Sequence, residues 1–260
     1  MKLLRPWLLA SLLFAATAHA EKVTIAAAAD LKFAMDEIVA TFRQAHPADE
    51  VDVIYGSSGK FHTQIRQAAP YDLYFSADIA YPRELAKAGL AASAVQPYAV
   101  GRIVLWSARL DARQMTLASL ADPGITRIAI ANPKHAPYGK RAEEALRAAG
   151  LWEKVEPKLV YGESIAHTAQ FVQTGNAQVG IIALALALSP EMARRGGYWL
   201  IPDKLHEPLE QGFVISKRAA GNALARRFAD YMGSQAARAV MTRYGFVLPG
   251  EADSKRGTRP

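Results

Sequence analysis

At 260 residues the chain is long enough for one large or two smaller domains, and with 51% hydrophobic residues and no long low-complexity block it reads as globular. It has no cysteine, which excludes disulfides, zinc ribbons and thiol catalysis. The 31 basic residues outnumber the 24 acidic ones, but they are scattered and not interleaved with aromatics, so the excess can attract anions at long range without being a nucleic-acid footprint.

The first twenty residues stand apart. Lys2 and Arg5 precede an apolar run over 6–16, and Ala18-His19-Ala20 fits the small-x-small pattern of a secretory cleavage site. The expectation is a signal peptide over 1–20, cleaved after Ala20, and a periplasmic mature chain starting at Glu21. The apolar run is too short to span a bilayer, and no later stretch is longer, so the mature chain is expected to be soluble. Losing Lys2 and Arg5 and no acidic residue leaves a charge of +5. Without a cysteine at the cleavage site, no lipid anchor is expected on this chain.

Residues 22–29 read as an apolar strand ending in alanines. Asp30 follows as a natural N-cap, and Leu31, Phe33, Met35, Ile38, Val39 and Phe42 recur at helical spacing until His46-Pro47 closes the helix. A strand over 51–55, the turn Gly56-Ser57-Ser58-Gly59, a helix over 60–68, a strand over 71–75 and a helix to about residue 88 continue the alternation. This is the pattern of an α/β fold with a mainly parallel sheet, in which ligands sit beyond the carboxyl ends of the strands. Ala29-Asp30 and Ser57-Ser58 both lie there.

The second half repeats the plan. Strands are predicted over 101–108 and 127–131, the latter leading through Asn132-Pro133-Lys134-His135-Ala136-Pro137-Tyr138-Gly139 into a helix over 140–149. A strand over 158–161 precedes Gly162-Glu163-Ser164-Ile165, which opens a helix to about 174. Further strands are predicted over 179–184 and 213–216, and helices over 222–232 and 235–244. The tail, 251–260, is polar and mixed in charge, and is expected to be disordered. Two similar halves with loops at their strand ends point to a ligand cleft between two lobes.

The serine turn is the most informative stretch. Glycines on either side allow close backbone approach, and the hydroxyls and first N–H groups of the following helix converge at the positive end of its dipole, a place for an anion. The same residues also make an ordinary strand-to-helix turn with a Ser N-cap. Neither common catalytic motif is present. The turn lacks the Gly-x-Ser-x-Gly of a nucleophile elbow, and Lys60, four residues after Gly56 and followed by Phe61, does not complete a P-loop. His46, His62, His135, His167 and His206 show no metal-ligand spacing. No enzymatic activity and no cofactor are expected.

Several separated motifs, in order, resemble the periplasmic molybdate-binding proteins of ABC importers, the ModA family. They are Gly56-Ser57-Ser58-Gly59, the segment from Asp72 to Asp78, the segment from Tyr98 to Ala108, the loop from Asn132 to Gly139, and Tyr244-Gly245-Phe246-Val247-Leu248-Pro249. The resemblance runs from about 23 to 249. It implies a two-lobed periplasmic binding protein fold of type II, each lobe a mainly parallel sheet flanked by helices. One lobe is expected from 21–98 plus 214–250 and the other from 99–213. It further implies a monomer that captures molybdate, and tungstate of the same shape, by hinge closure and delivers it to the permease and ATPase subunits of an importer. Carried over by position, the oxyanion contacts fall on Ala29, Asp30, Ser57, Ser58, Tyr138 and Ile165, with no residue bound directly to the metal. Lys60 and His135 are expected as modulators at the cleft.

Asp30 departs from that pattern, which has a neutral Ser or Asn at this position. A carboxylate beside a dianion is repelled. It can cap its own helix and present only its N–H, pair with Lys60, or accept a hydrogen bond from a protonated oxyanion. The last reading keeps open a different function: a binding protein for another, protonated oxyanion or a small organic acid.

Overall fold

The computed structural model describes residues 21–250, so the expected signal peptide and the expected disordered tail lie outside the described residues. The chain begins with β1 (Lys22–Ala28), α1 (Lys32–Ala45), β2 (Glu50–Gly56), α2 (Ser58–Arg66), β3 (Leu73–Ser76), α3 (Ala80–Lys87) and β4 (Gln96–Gly101). It crosses to a second sheet with β5 (Ile103–Ser107), β6 (Ile128–Ala131), α4 (Pro137–Ala148), α5 (Trp152–Val155), β7 (Leu159–Gly162), α6 (Ile165–Gln173), β8 (Val179–Ala183), α7 (Leu184–Ala187), α8 (Pro190–Arg195) and β9 (Gly197–Leu200). It returns with β10 (Leu209–Ile215), α9 (Ala223–Tyr231) and α10 (Gln235–Arg243).

Each lobe is built on one five-stranded sheet, in the orders β2-β1-β3-β10-β4 and β7-β6-β8-β5-β9. Both sheets are mainly parallel, as expected, each with a single strand running against the other four. In the first, β1 runs parallel to β2 and β3, while β10 is antiparallel to β3 and β4. In the second, β6 runs parallel to β7 and β8, while β5 is antiparallel to β8 and β9. The antiparallel additions are the strands that carry the chain between lobes, and they run back against the parallel core.

The crossing itself corrects two expectations. Residues 101–108 are not one strand: β4 ends at Gly101 in the first sheet, and β5 starts at Ile103 in the second. Arg102 lies between them and anchors the crossing, its Nε and Nη2 donating to the Gly245 carbonyl at 3.2 and 2.7 Å. Residues 99–101 and 209–213, expected in the middle lobe, pair in the first sheet through β4 and β10.

Packing follows the sequence pattern closely. Ala34, Met35, Ile38, Val39 and Phe42 form the buried face of α1, and Phe42 meets Phe228 of α9 edge-on at 5.2 Å. The central strands β3, β6 and β8 are buried at every position, as expected of strands covered on both faces. The short helices α7 and α8 and strand β9 were not anticipated. Residues 179–187 are apolar or glycine throughout, so no periodicity marks the change from strand to helix. Among the described residues no helix is long and apolar enough to cross a membrane.

Candidate functional site

The carboxyl ends of β1, β2, β3, β6 and β7 converge on a cavity between the lobes. It is lined by Ala28, Ala29 and Asp30 at the end of β1, by Gly56, Ser57 and Ser58 at the end of β2, and by Ala77 after β3; the second lobe contributes Ala136, Pro137, Tyr138 and Ile165. The space open to the centre of a water-sized sphere is about 10 Å³, on the order of what one water requires. All six residues expected to contact a ligand thus lie around one small space. Lys60 and His135 do not line it.

Three helices start at this cavity. Ser58, Tyr138 and Ile165 stand in the first turns of α2, α4 and α6, where a backbone N–H has no acceptor within its own helix. A short 3-10 turn, Ala29–Leu31, adds a fourth chain start. The positive ends of the helix dipoles therefore meet here. Pro137 opens α4 at a position that needs no N–H, leaving the next one, on Tyr138, at the helix start. In α6 the Ser164 side chain accepts from His167 N and does not occupy Ile165 N.

The two serines play different parts. Ser58 Oγ accepts the Ala77 N–H at 3.0 Å, so its own proton points elsewhere, and Tyr74 Oη fixes the Ser58 carbonyl from behind at 2.7 Å. Ser57 Oγ donates to the His135 carbonyl and lies 3.0 Å from His135 Nδ1. Its hydroxyl is thus committed to the other lobe. No lysine or arginine lines the cavity among the described residues.

Asp30 takes neither of the two structural roles that the sequence offered it, helix cap or partner of Lys60. It is the middle residue of the 3-10 turn and makes no side-chain cap. Lys60 pairs with Glu163 across the cleft mouth, leaving Asp30 without a cation. Instead Asp30 is buried, 1% exposed, and its Oδ2 accepts from Tyr138 Oη at 2.9 Å and from Gln211 Nε2 at 2.8 Å. Oδ1 is buried without a hydrogen-bond partner, as is Gln211 Oε1. Burial pushes the Asp30 carboxyl up from 3.8 to about 6, against the pull of Gln211, Tyr138 and the nearby N–H groups of Asp30 and Leu31. Neither of those N–H groups reaches hydrogen-bond geometry with Oδ1. The Tyr138 phenol is driven far above its usual range, first by burial and then by the Asp30 charge.

The lobes touch directly around the site. Gly59 N donates to the His135 carbonyl at 3.0 Å, beside the Ser57 bond to the same oxygen. His135 is pushed below the ordinary histidine value by burial and by Lys60, which keeps it neutral. The Lys60–Glu163 pair is half exposed and adds little beyond orientation.

Gln211 and Ala77 were not singled out from sequence. Gln211 is fully buried in β10, and it carried one signal, a polar side chain immediately before the apolar run from Gly212 to Ile215. A buried amide demands partners, but which ones depends on β10 lying between β3 and β4. Ala77 acts through its N–H, which no side-chain pattern can reveal.

A pair of α/β lobes joined by two crossing segments and closing on strand ends is the construction of a two-lobed periplasmic binding protein, built to enclose a small solute. The chain belongs to the family described as bacterial extracellular solute-binding proteins, whose sequence model matches residues 23–247. It is 36% identical to the molybdate-binding protein ModA of Rhodobacter capsulatus over 88% of this chain and 90% of that protein. It is also 36% identical to the molybdate-binding protein ModA of Azotobacter vinelandii, over 91% and 94% of the two chains. The solved structure of the Azotobacter vinelandii periplasmic molybdate-binding protein superposes with a TM-score of 0.82 at 31% identity, covering 87% of this chain and 99% of that one.

Proposed function

We propose that this chain is an exported receptor that captures molybdate, and tungstate of the same shape, between its lobes and hands it unaltered to the permease and ATPase of an ABC importer. The observation that carries this reading is the convergence of three helix N-termini and the Ser58 hydroxyl on one small cavity without a basic side chain. Neutral donors suit an oxyanion that carries no proton of its own, and each such bond to a charge is strong in a dry site. The ModA relatives support molybdate as the solute. Size is what separates molybdate from sulfate, since both use the same donors and differ in metal–oxygen or sulfur–oxygen bond length.

Titration calorimetry with molybdate, tungstate, sulfate and phosphate tests this. Tight binding of molybdate and tungstate with weak or no binding of the other two is the expected result, and preference for sulfate or phosphate overturns it. One observation favours a second reading, a protonated oxyanion or a small organic acid. Asp30 lines the cavity, and its carboxylate Oδ1 is buried without a donor. Preference for phosphate in the same titration supports that reading.

A further inference from the structure

Asp30 raises a problem of charge that the neighbouring residues do not solve. Asp30 lines the cavity, and its side chain is buried with no cation in contact. The titratable groups facing it are Tyr138 from α4 and Tyr98 from β4, and both feel its charge while burial holds them neutral. From β10 it meets the uncharged Gln211. Two basic side chains at the cleft are otherwise engaged, Lys60 with Glu163 and His135 with Ser57. An ionised Asp30 beside a bound dianion would place three negative charges in one dry space, and Coulomb repulsion there is poorly screened.

The geometry offers one relief. Oδ2 is saturated by two donors, whereas Oδ1 has none. A proton on Oδ1 turns the unpaired acceptor into a donor, and the acceptor it requires is supplied when an oxyanion enters the cavity. We propose that capture of a doubly negative oxyanion by this chain takes up one proton, held on Asp30 Oδ1, whose O–H donates to an oxygen of the bound anion. The proton comes from solvent, no covalent bond to the solute forms or breaks, and release of the anion returns the proton. Tyr138 and Gln211 act as positioning residues: by holding Oδ2 they leave Oδ1 as the protonation site. The raised value of Asp30, about 6 before any anion is present, places the group within reach of such a shift.

This inference rests on the oxyanion reading, and the test separates the two. Sodium molybdate is titrated into the full mature chain at pH 7.5 in buffers of differing ionisation enthalpy, and the slope of heat against that enthalpy counts protons. Uptake of about one proton per anion is expected, with affinity falling about tenfold per pH unit from 7 to 8.5, and both effects are expected to vanish in Asp30→Asn. Saturable binding without proton uptake overturns this inference alone. Uptake that persists in Asp30→Asn overturns it too, by assigning the proton to another group. Absence of any binding overturns the proposed function and this inference together. Should Asp30→Asn not fold, the ¹³C carboxyl resonance of Asp30 in the wild-type chain decides. Movement to the protonated position on adding molybdate at pH 7.5 supports the proposal, and an unmoved, ionised resonance overturns it.

Discussion

Gly59 of the first lobe donates its N–H to the His135 carbonyl of the second at 3.0 Å, and a Cβ at position 59 would lie 2.6 Å from that same oxygen. The absence of a side chain is what lets the lobes meet here. The glycine is needed for close approach and not for backbone conformation, since its φ is not positive.

Replacing Gly59 by Ala therefore opposes closure while favouring α2 itself by up to about 1 kcal/mol in helix propensity. The expected outcome is a loss of molybdate affinity of at least about tenfold with thermal stability kept or raised. Calorimetry together with small-angle scattering checks it, the variant remaining more extended in the presence of molybdate than the wild type.

Ser58→Ala removes the hydroxyl donor and leaves the Ala77 N–H without its acceptor. A hydrogen bond to a charged group is worth about 1.5–3 kcal/mol, so molybdate binding is expected to weaken roughly 10- to 100-fold. Ser57→Ala breaks the bond to His135 instead. It is expected to weaken binding less, by reducing the preference for the closed arrangement. Dissociation constants for the two variants, measured side by side, rank them.

The ligand-free protein should carry a pH signature of Asp30. The folded state holds this proton up to about pH 6, while the unfolded chain releases it near 3.8. The stabilising contribution is complete below 3.8 and is lost as pH rises through about 6, amounting to on the order of 3 kcal/mol. Denaturant titrations of wild type and Asp30→Asn between pH 4 and 7 should diverge in that sense, the wild type losing stability relative to the variant as pH increases. Tyr138→Phe takes one donor from Oδ2 and should move the transition to higher pH.

Lys60 and Glu163 form the most visible ion pair at the cleft, yet both are about half exposed. Lys60→Ala is expected to change molybdate affinity less than about threefold, and that small effect should fade with added salt. A loss beyond tenfold would show that Lys60 acts on the anion through its field.

Much of the site was legible because its chemistry is local. A Gly-Ser-Ser-Gly turn between a strand and a helix, Pro137 before Tyr138, and Ser164 before Ile165 each announce a helix start, and each start proved to face the same cavity. What could not be read was the partnership of side chains far apart in sequence. Asp30, Tyr138 and Gln211 meet through two sheets and one crossing, so neither the phenol nor the amide could be assigned to the carboxylate, and Lys60 looked nearer to Asp30 than it is. The fold was legible to the same depth. The alternation of strand and helix announced two α/β units, but the antiparallel strands went unrecognised because strand direction leaves no mark on composition. The break at Arg102 lay hidden because strand-like apolar residues flank it on both sides.

The placement of β10 between β3 and β4 carries a consequence for the order of assembly. The second sheet is drawn from one continuous stretch, 103–200, and can form as soon as that stretch is available. The first cannot: until residue 215 has arrived, β3 keeps an open edge, β4 lacks its neighbour, and α9 and α10 are still to come. The earliest-made part of the chain is thus the last to be completed. Any fragment ending before β10 would present bare strands to its surroundings.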